Sequence, residues 1–99
     1  MSNKKISTKT SKQIERHMKG VSNHWRIDMI LFIGENETAT LEEMVDALKI
    51  NVKTASEHAR RLTQAGLVNK KYVGRNVEHS LSPYGKHFVR FINHFKKTF

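Results

Sequence analysis

Seven residues between positions 53 and 64, Lys53, Thr54, Ser56, Glu57, Arg60, Arg61 and Gln64, could together grip a polyanion and read its sequence. Lysine and arginine neutralise phosphates, whereas hydroxyl, amide and carboxylate groups pair with base edges. At helical spacing Ala55, Ala59 and Leu62 form one narrow apolar stripe, and these seven take the opposite side. Lys53, Thr54, Ser56 and Glu57 would lie nearest a major groove, and Arg60 would reach a guanine or a phosphate. Glu57 would accept from a cytosine amine or act against indiscriminate binding. A second group, Lys70, Lys71, Arg75 and Asn76, surrounds Gly74 and could touch phosphates or a narrow minor groove, whose negative potential attracts arginine. The plainer alternatives are a solvated helix face and a surface turn with routine charges.

Other chemistry finds little support. There is no cysteine, which excludes disulfides, thiolate metal ligands and thiol nucleophiles. Of the six histidines, His87 and His94 are seven apart and would share a helix face, with His17 or His24 as third partners across a dimer. No carboxylate follows Glu78, and zinc needs three or four ligands, so no metal and no other cofactor is expected. His58 fits packing or a phosphate contact better than ligation. Neither a Gly-rich phosphate loop nor a Ser-His-Asp pattern is present, so no enzyme is expected.

Charge supports the polyanion. Eighteen Lys and Arg against nine Asp and Glu leave +9 on 99 residues. Residues 1–19 carry six cations against Glu15, and residues 49–75 carry seven against Glu57. Residues 26–46 reverse the sign, with Arg26 against six carboxylates. A basic front and an acidic back follow. The longest apolar run, 29–33, is too short for a membrane span, and the polar start lacks a signal-peptide core; a soluble, cytoplasmic protein without membrane contact is expected.

The elements that would position these groups make one domain, mainly α with a small β-hairpin. Residues 1–10 read as a flexible basic arm and 11–99 as the folded unit. A short helix over 11–19 ends at Gly20, and an almost wholly apolar helix over 22–33 is the core element, followed by a turn at 34–37. Thr40 and Glu43 form a capping box for a helix buried along Leu41, Met44, Val45 and Leu48. Asn51 caps the helix bearing the seven polar residues, and Gly66 closes it. A hairpin over 67–81 turns at Gly74-Arg75-Asn76 and makes a two-stranded wing. Ser82 and Pro83 then open a fifth helix. Helix, turn, helix, hairpin is the order of a winged helix-turn-helix.

The fifth helix carries Phe88, Phe91, Ile92, Phe95 and, near the end of the chain, Phe99, more aromatic surface than a small core needs. With Ile14 and Met18 of the first helix, these are expected to form a homodimer interface.

Arg26 before Ile30-Leu31, Ser56-Glu57-His58, Leu62 with Ala65-Gly66-Leu67-Val68, and Leu81-Ser82-Pro83-Tyr84-Gly85 occur here in one order, over about two-thirds of the chain. In that order they resemble the winged helix-turn-helix transcriptional regulators of the ArsR-like type, with MarR-like regulators second. The resemblance implies a homodimer that binds double-stranded DNA, recognition helix in the major groove and wing on the backbone or minor groove. Members of the ArsR-like group sense metals through Cys, His and carboxylate clusters; without cysteine, a metal-free regulator is the better expectation here. A winged-helix protein-interaction module and a non-specific nucleic-acid binder are the alternatives.

Overall fold

The computed structural model describes residues 8–97. Of the expected arm only 8–10 fall within it, and Phe99 lies outside the described residues. In chain order the elements are α1 (Ser11–Val21), α2 (His24–Asn36), β1 (Ala39–Thr40), α3 (Leu41–Leu48), α4 (Val52–Gln64), β2 (Val68–Val73), β3 (Asn76–Leu81) and α5 (Pro83–Phe95). The strands form one antiparallel sheet in the order β1-β3-β2.

Local chemistry explains most boundaries. Thr10 and Gln13 make a reciprocal capping box at α1, and Thr40 and Glu43 make the expected one at α3. Asn51 Oδ1 accepts from the backbone N–H groups of Lys53 (2.8 Å) and Thr54 (3.3 Å), and Ser82 caps α5 ahead of Pro83. The wing turns on Gly74 at φ 63°, so Asn76, expected in the turn, instead opens β3 opposite Val73.

Three sequence expectations need correction. Gly20 does not end α1. It lies inside the helix, where a side chain would strike the Ala65 methyl, so its role is the close approach of α1 to the end of α4. Gly34 is likewise helical; α2 continues to Asn36, and the chain reverses at Glu37, whose φ is 67°. The sheet has a third strand. Ala39 and Thr40 pair with His79 and Glu78 of β3, a two-residue ladder too short to leave an alternating pattern.

Met29, Ile30 and Ile33 of α2 are fully or almost fully buried, with Met44, Ala55, Leu62, Leu67 and Val68 closing around them. Being apolar on most sides, α2 contacts all four other helices and the sheet. His17 of α1 is buried and its Nδ1–H donates to the Ala65 carbonyl (2.7 Å), tying α1 to the end of α4. Its ring stacks on Tyr84, whose other neighbour is the Lys9 ammonium 4.1 Å from the ring centroid. Among the described residues no helix is long and apolar enough to cross a membrane.

Candidate nucleic-acid interface

The short link through Lys49 (φ 56°), Ile50 and Asn51 sets α4 against α3, with Ala55, Ala59 and Leu62 buried. The narrow stripe of alanines brings the helices close and turns the opposite side of α4 outward. That side and the wing enclose an open cleft. Val52, Lys53, Ser56, Glu57, Ala59 and Arg60 line it from the helix, Lys70, Arg75, Asn76, Val77 and His79 from the hairpin, and Leu41 and Glu42 from the start of α3, so one carboxylate besides Glu57 borders it.

Among the seven helix residues singled out from the sequence, Lys53, Ser56, Glu57 and Arg60 therefore meet in the cleft. Thr54 is half-buried, while Arg61 and Gln64 are exposed beyond its lining on the same helix. On the wing, Lys70, Arg75 and Asn76 line the cleft. Lys71 does not: strand alternation puts it on the other sheet face, directly across from Glu78.

Within this basic surface Glu57 is a clamp. Its carboxylate accepts from Arg60 Nε (3.2 Å) and Nη2 (2.6 Å), and from Arg61 Nε (3.0 Å). The hydrogen bond from Arg60, then that from Arg61, hold its pKa below the ordinary carboxylate value. The two arginines are thereby preoriented, and a phosphate approaching them must compete with a carboxylate already in place. Glu57→Gln is expected to tighten binding to unrelated DNA roughly tenfold at moderate salt, because exposed pairs are weak and the loss of one negative charge raises the net attraction of this surface for phosphate. Fluorescence anisotropy with DNA of arbitrary sequence measures this, and weaker binding would show the clamp to be a needed brace.

Behind α4, Arg26 Nη1 donates to His58 Nδ1 (3.0 Å), so that nitrogen carries the lone pair and the ring proton sits on Nε2. Arg26 Nε is buried with no hydrogen-bond partner among the described residues. Burial, and then the adjacent Arg26, push the His58 pKa down. His79, on the cleft floor, donates from Nδ1 to the Ala39 carbonyl (3.1 Å), and burial lowers its pKa also. Both rings are thus neutral where the unfolded chain would still take up a proton. Stability from them is complete above the unfolded histidine value of about 6.5 and falls as pH drops through it toward the folded values. Urea midpoints should therefore decline between pH 7.5 and 5.5, and less steeply for His79→Gln; an identical slope in the variant would remove His79 from the account.

Three groups escaped the sequence reading. Val52 lines the cleft although it is apolar and 55% exposed. Its position one turn before Ser56 was a usable signal. Tyr72, 74% exposed, shares a sheet face with Lys70 by alternation from the buried Val68. The Arg26–His58 pair is 32 residues apart in sequence and had no local signal. Among the described residues, no three His, Asp or Glu side chains gather as a metal ion would require.

The residues proposed for a dimer divide in two. Phe88 and Ile92 are half-buried and pack on the monomer's own core. Ile14, Met18, Phe91 and Phe95 are exposed at 45, 55, 59 and 64%, and the two phenylalanine rings stack on each other at 5.6 Å.

No family model matches the chain, and no curated protein matches it in sequence. Solved structures do match its backbone. HlyU from Vibrio cholerae superposes with a TM-score of 0.81 at 19% identity, covering 93% of this chain and 100% of that one. The homodimeric winged helix-turn-helix DNA-binding domain Mb0332 from Mycobacterium bovis, a candidate ArsR-family regulator, gives 0.79 at 16% identity over 93% and 91%. The transcriptional repressor PagR of Bacillus anthracis gives 0.76 at 12% identity over 82% and 93%. At such identities the likeness lies in the path of the backbone, and on that path this chain is a winged helix-turn-helix protein.

Proposed function

We propose that the chain is a non-enzymatic transcriptional regulator of the ArsR-like type that binds double-stranded DNA as a homodimer in the cytoplasm. The observation that carries this reading is the convergence of Lys53, Arg60, Lys70 and Arg75 on one cleft between helix and wing. A protein-docking domain has no need of four cations there, whereas a duplex offers phosphates on both sides of the groove that α4 would enter. Ser56 and the N-terminal turn of α4 read base edges, Arg60 contacts a guanine or a phosphate, and the wing holds the backbone or minor groove through Lys70, Arg75 and Asn76. Arg61, Gln64, Thr54 and Lys71 act at the margins, and the basic arm adds contacts independent of sequence. The kind of protein named among the structural neighbours, a repressor and a homodimeric DNA-binding domain, agrees with this reading.

The interface is assigned to Ile14 and Met18 of α1 and to Phe91 and Phe95 of α5, with Phe88, Ile92 and Phe99 extending it. Leaving four large apolar side chains in water is costly, and a second copy would cover them on both partners at once. Selection of binding sites from a random DNA library by the purified chain, paired with sedimentation, tests both halves. A palindromic site preferred at least about a thousandfold over unrelated DNA and a dimer in solution are the expected results. A monomer on one asymmetric site overturns the dimer, and equal affinity for all DNA reduces the function to non-specific nucleic-acid binding. Phe91→Ala with Phe95→Ala should give monomers at concentrations where the unaltered chain is dimeric; unchanged sedimentation would move the interface elsewhere.

A further inference from the structure

We propose that Val52 recognises the methyl group of a thymine, one in each half of the DNA site; this rests on the DNA-binding reading and names the base that one residue selects. Val52 is the first residue of α4, and the N-terminal turn of a helix presented to the major groove reaches deepest among the base edges. It is apolar, 55% exposed, and no member of the buried core, yet it lines the cleft beside Lys53 and Ser56. Its neighbour Asn51 cannot make the two-point contact by which an amide reads adenine, because Asn51 Oδ1 already accepts from the Lys53 and Thr54 N–H groups. The first turn therefore offers an apolar contact at this position in place of a hydrogen bond.

Only one base presents an apolar group in the major groove: thymine, through its C5-methyl. Against guanine, adenine or cytosine, Val52 would cover a polar edge and return no partner, so the wrong base is penalised as well as the right one favoured. Valine suits the task. With a branched Cβ it is stiff at χ1, so little side-chain freedom is lost when a methyl group is seated against it.

The test uses the full chain and the sites enriched by library selection. The expected result is a fixed thymine in each half-site, found by replacing each dT in turn with dU, which deletes the methyl and leaves every pairing atom. One such replacement should weaken binding about fourfold, the value of one buried carbon, and replacement in both half-sites about fifteenfold. Val52→Ala changes an exposed residue to a better helix former, so it should fold, and its dT to dU ratio should fall toward one. Enriched sites whose affinity survives every dU replacement, or a Val52→Ala protein with an undiminished ratio, overturn the assignment while leaving DNA binding intact. Absence of any enriched sequence overturns sequence-specific reading and this inference with it.

Discussion

Raising monovalent salt from 50 to 200 mM should weaken the DNA complex about ten-thousandfold. The size follows from counting cations. Lys53, Arg60, Lys70 and Arg75 line one cleft, and in the proposed homodimer about eight such groups would meet phosphates, each releasing close to one condensed counterion. The logarithm of affinity then falls with the logarithm of salt at a slope of about −7. Arg75→Ala removes two contacts per dimer and should flatten that slope by about 2, with little change in which sequence is preferred, since phosphate contacts carry no base information. Lys71→Ala should leave the slope nearly untouched, because Lys71 points away from the cleft and faces Glu78 across the strands. Titrations at four salt concentrations separate the three proteins. A slope near zero for the unaltered chain would exclude phosphate contact as the source of affinity.

Met29→Ala should cost about 2–5 kcal/mol of folding stability, a large part of the 5–15 kcal/mol typical of a domain this size. Met29 has no exposed surface and sits at the centre of the core that α2 shares with α4 and the sheet. Truncation removes apolar contact on every side and leaves a cavity that the close-packed alanines of α4 cannot fill by sliding. The melting temperature should fall by at least about 10 °C. Phe91→Ala makes an informative contrast, as that ring is 59% exposed. It should abolish the dependence of melting temperature on protein concentration that a dimer produces, whereas Met29→Ala lowers stability at every concentration. A melting temperature for Met29→Ala within 2 °C of the unaltered chain would place the core elsewhere.

Features resting on neighbours in sequence were legible in advance. The Thr40/Glu43 box, the Asn51 cap, the Ser82-Pro83 start and the Gly74 turn each depend on groups three or fewer residues apart, and each appears where expected. The glycines at 20 and 34 misled, since the same residue that favours a helix end also permits close packing. Only the partner decides between those uses. For Gly20 it is Ala65, 45 residues away; for Gly34 it is Val89 and Leu81. The short strand β1 exists because β3 lies beside it, and two residues of isolated chain contain no such preference.

The candidate interface shows the same division. Amino-acid order alone determined that α4 would carry a polar, basic outer side and that a basic hairpin would follow, because helical and strand periodicities are local. Tertiary structure decided which of those groups meet: Lys70 but not Lys71 in the cleft, Val52 beside Ser56, and His79 on its floor. It also showed Glu57 bound to both arginines and Arg26 donating to His58 Nδ1, pairings settled by rotamer and helix packing. Periodicity assigns a residue to a face; only the packed fold, through burial and contacts distant in sequence, decides what that face meets.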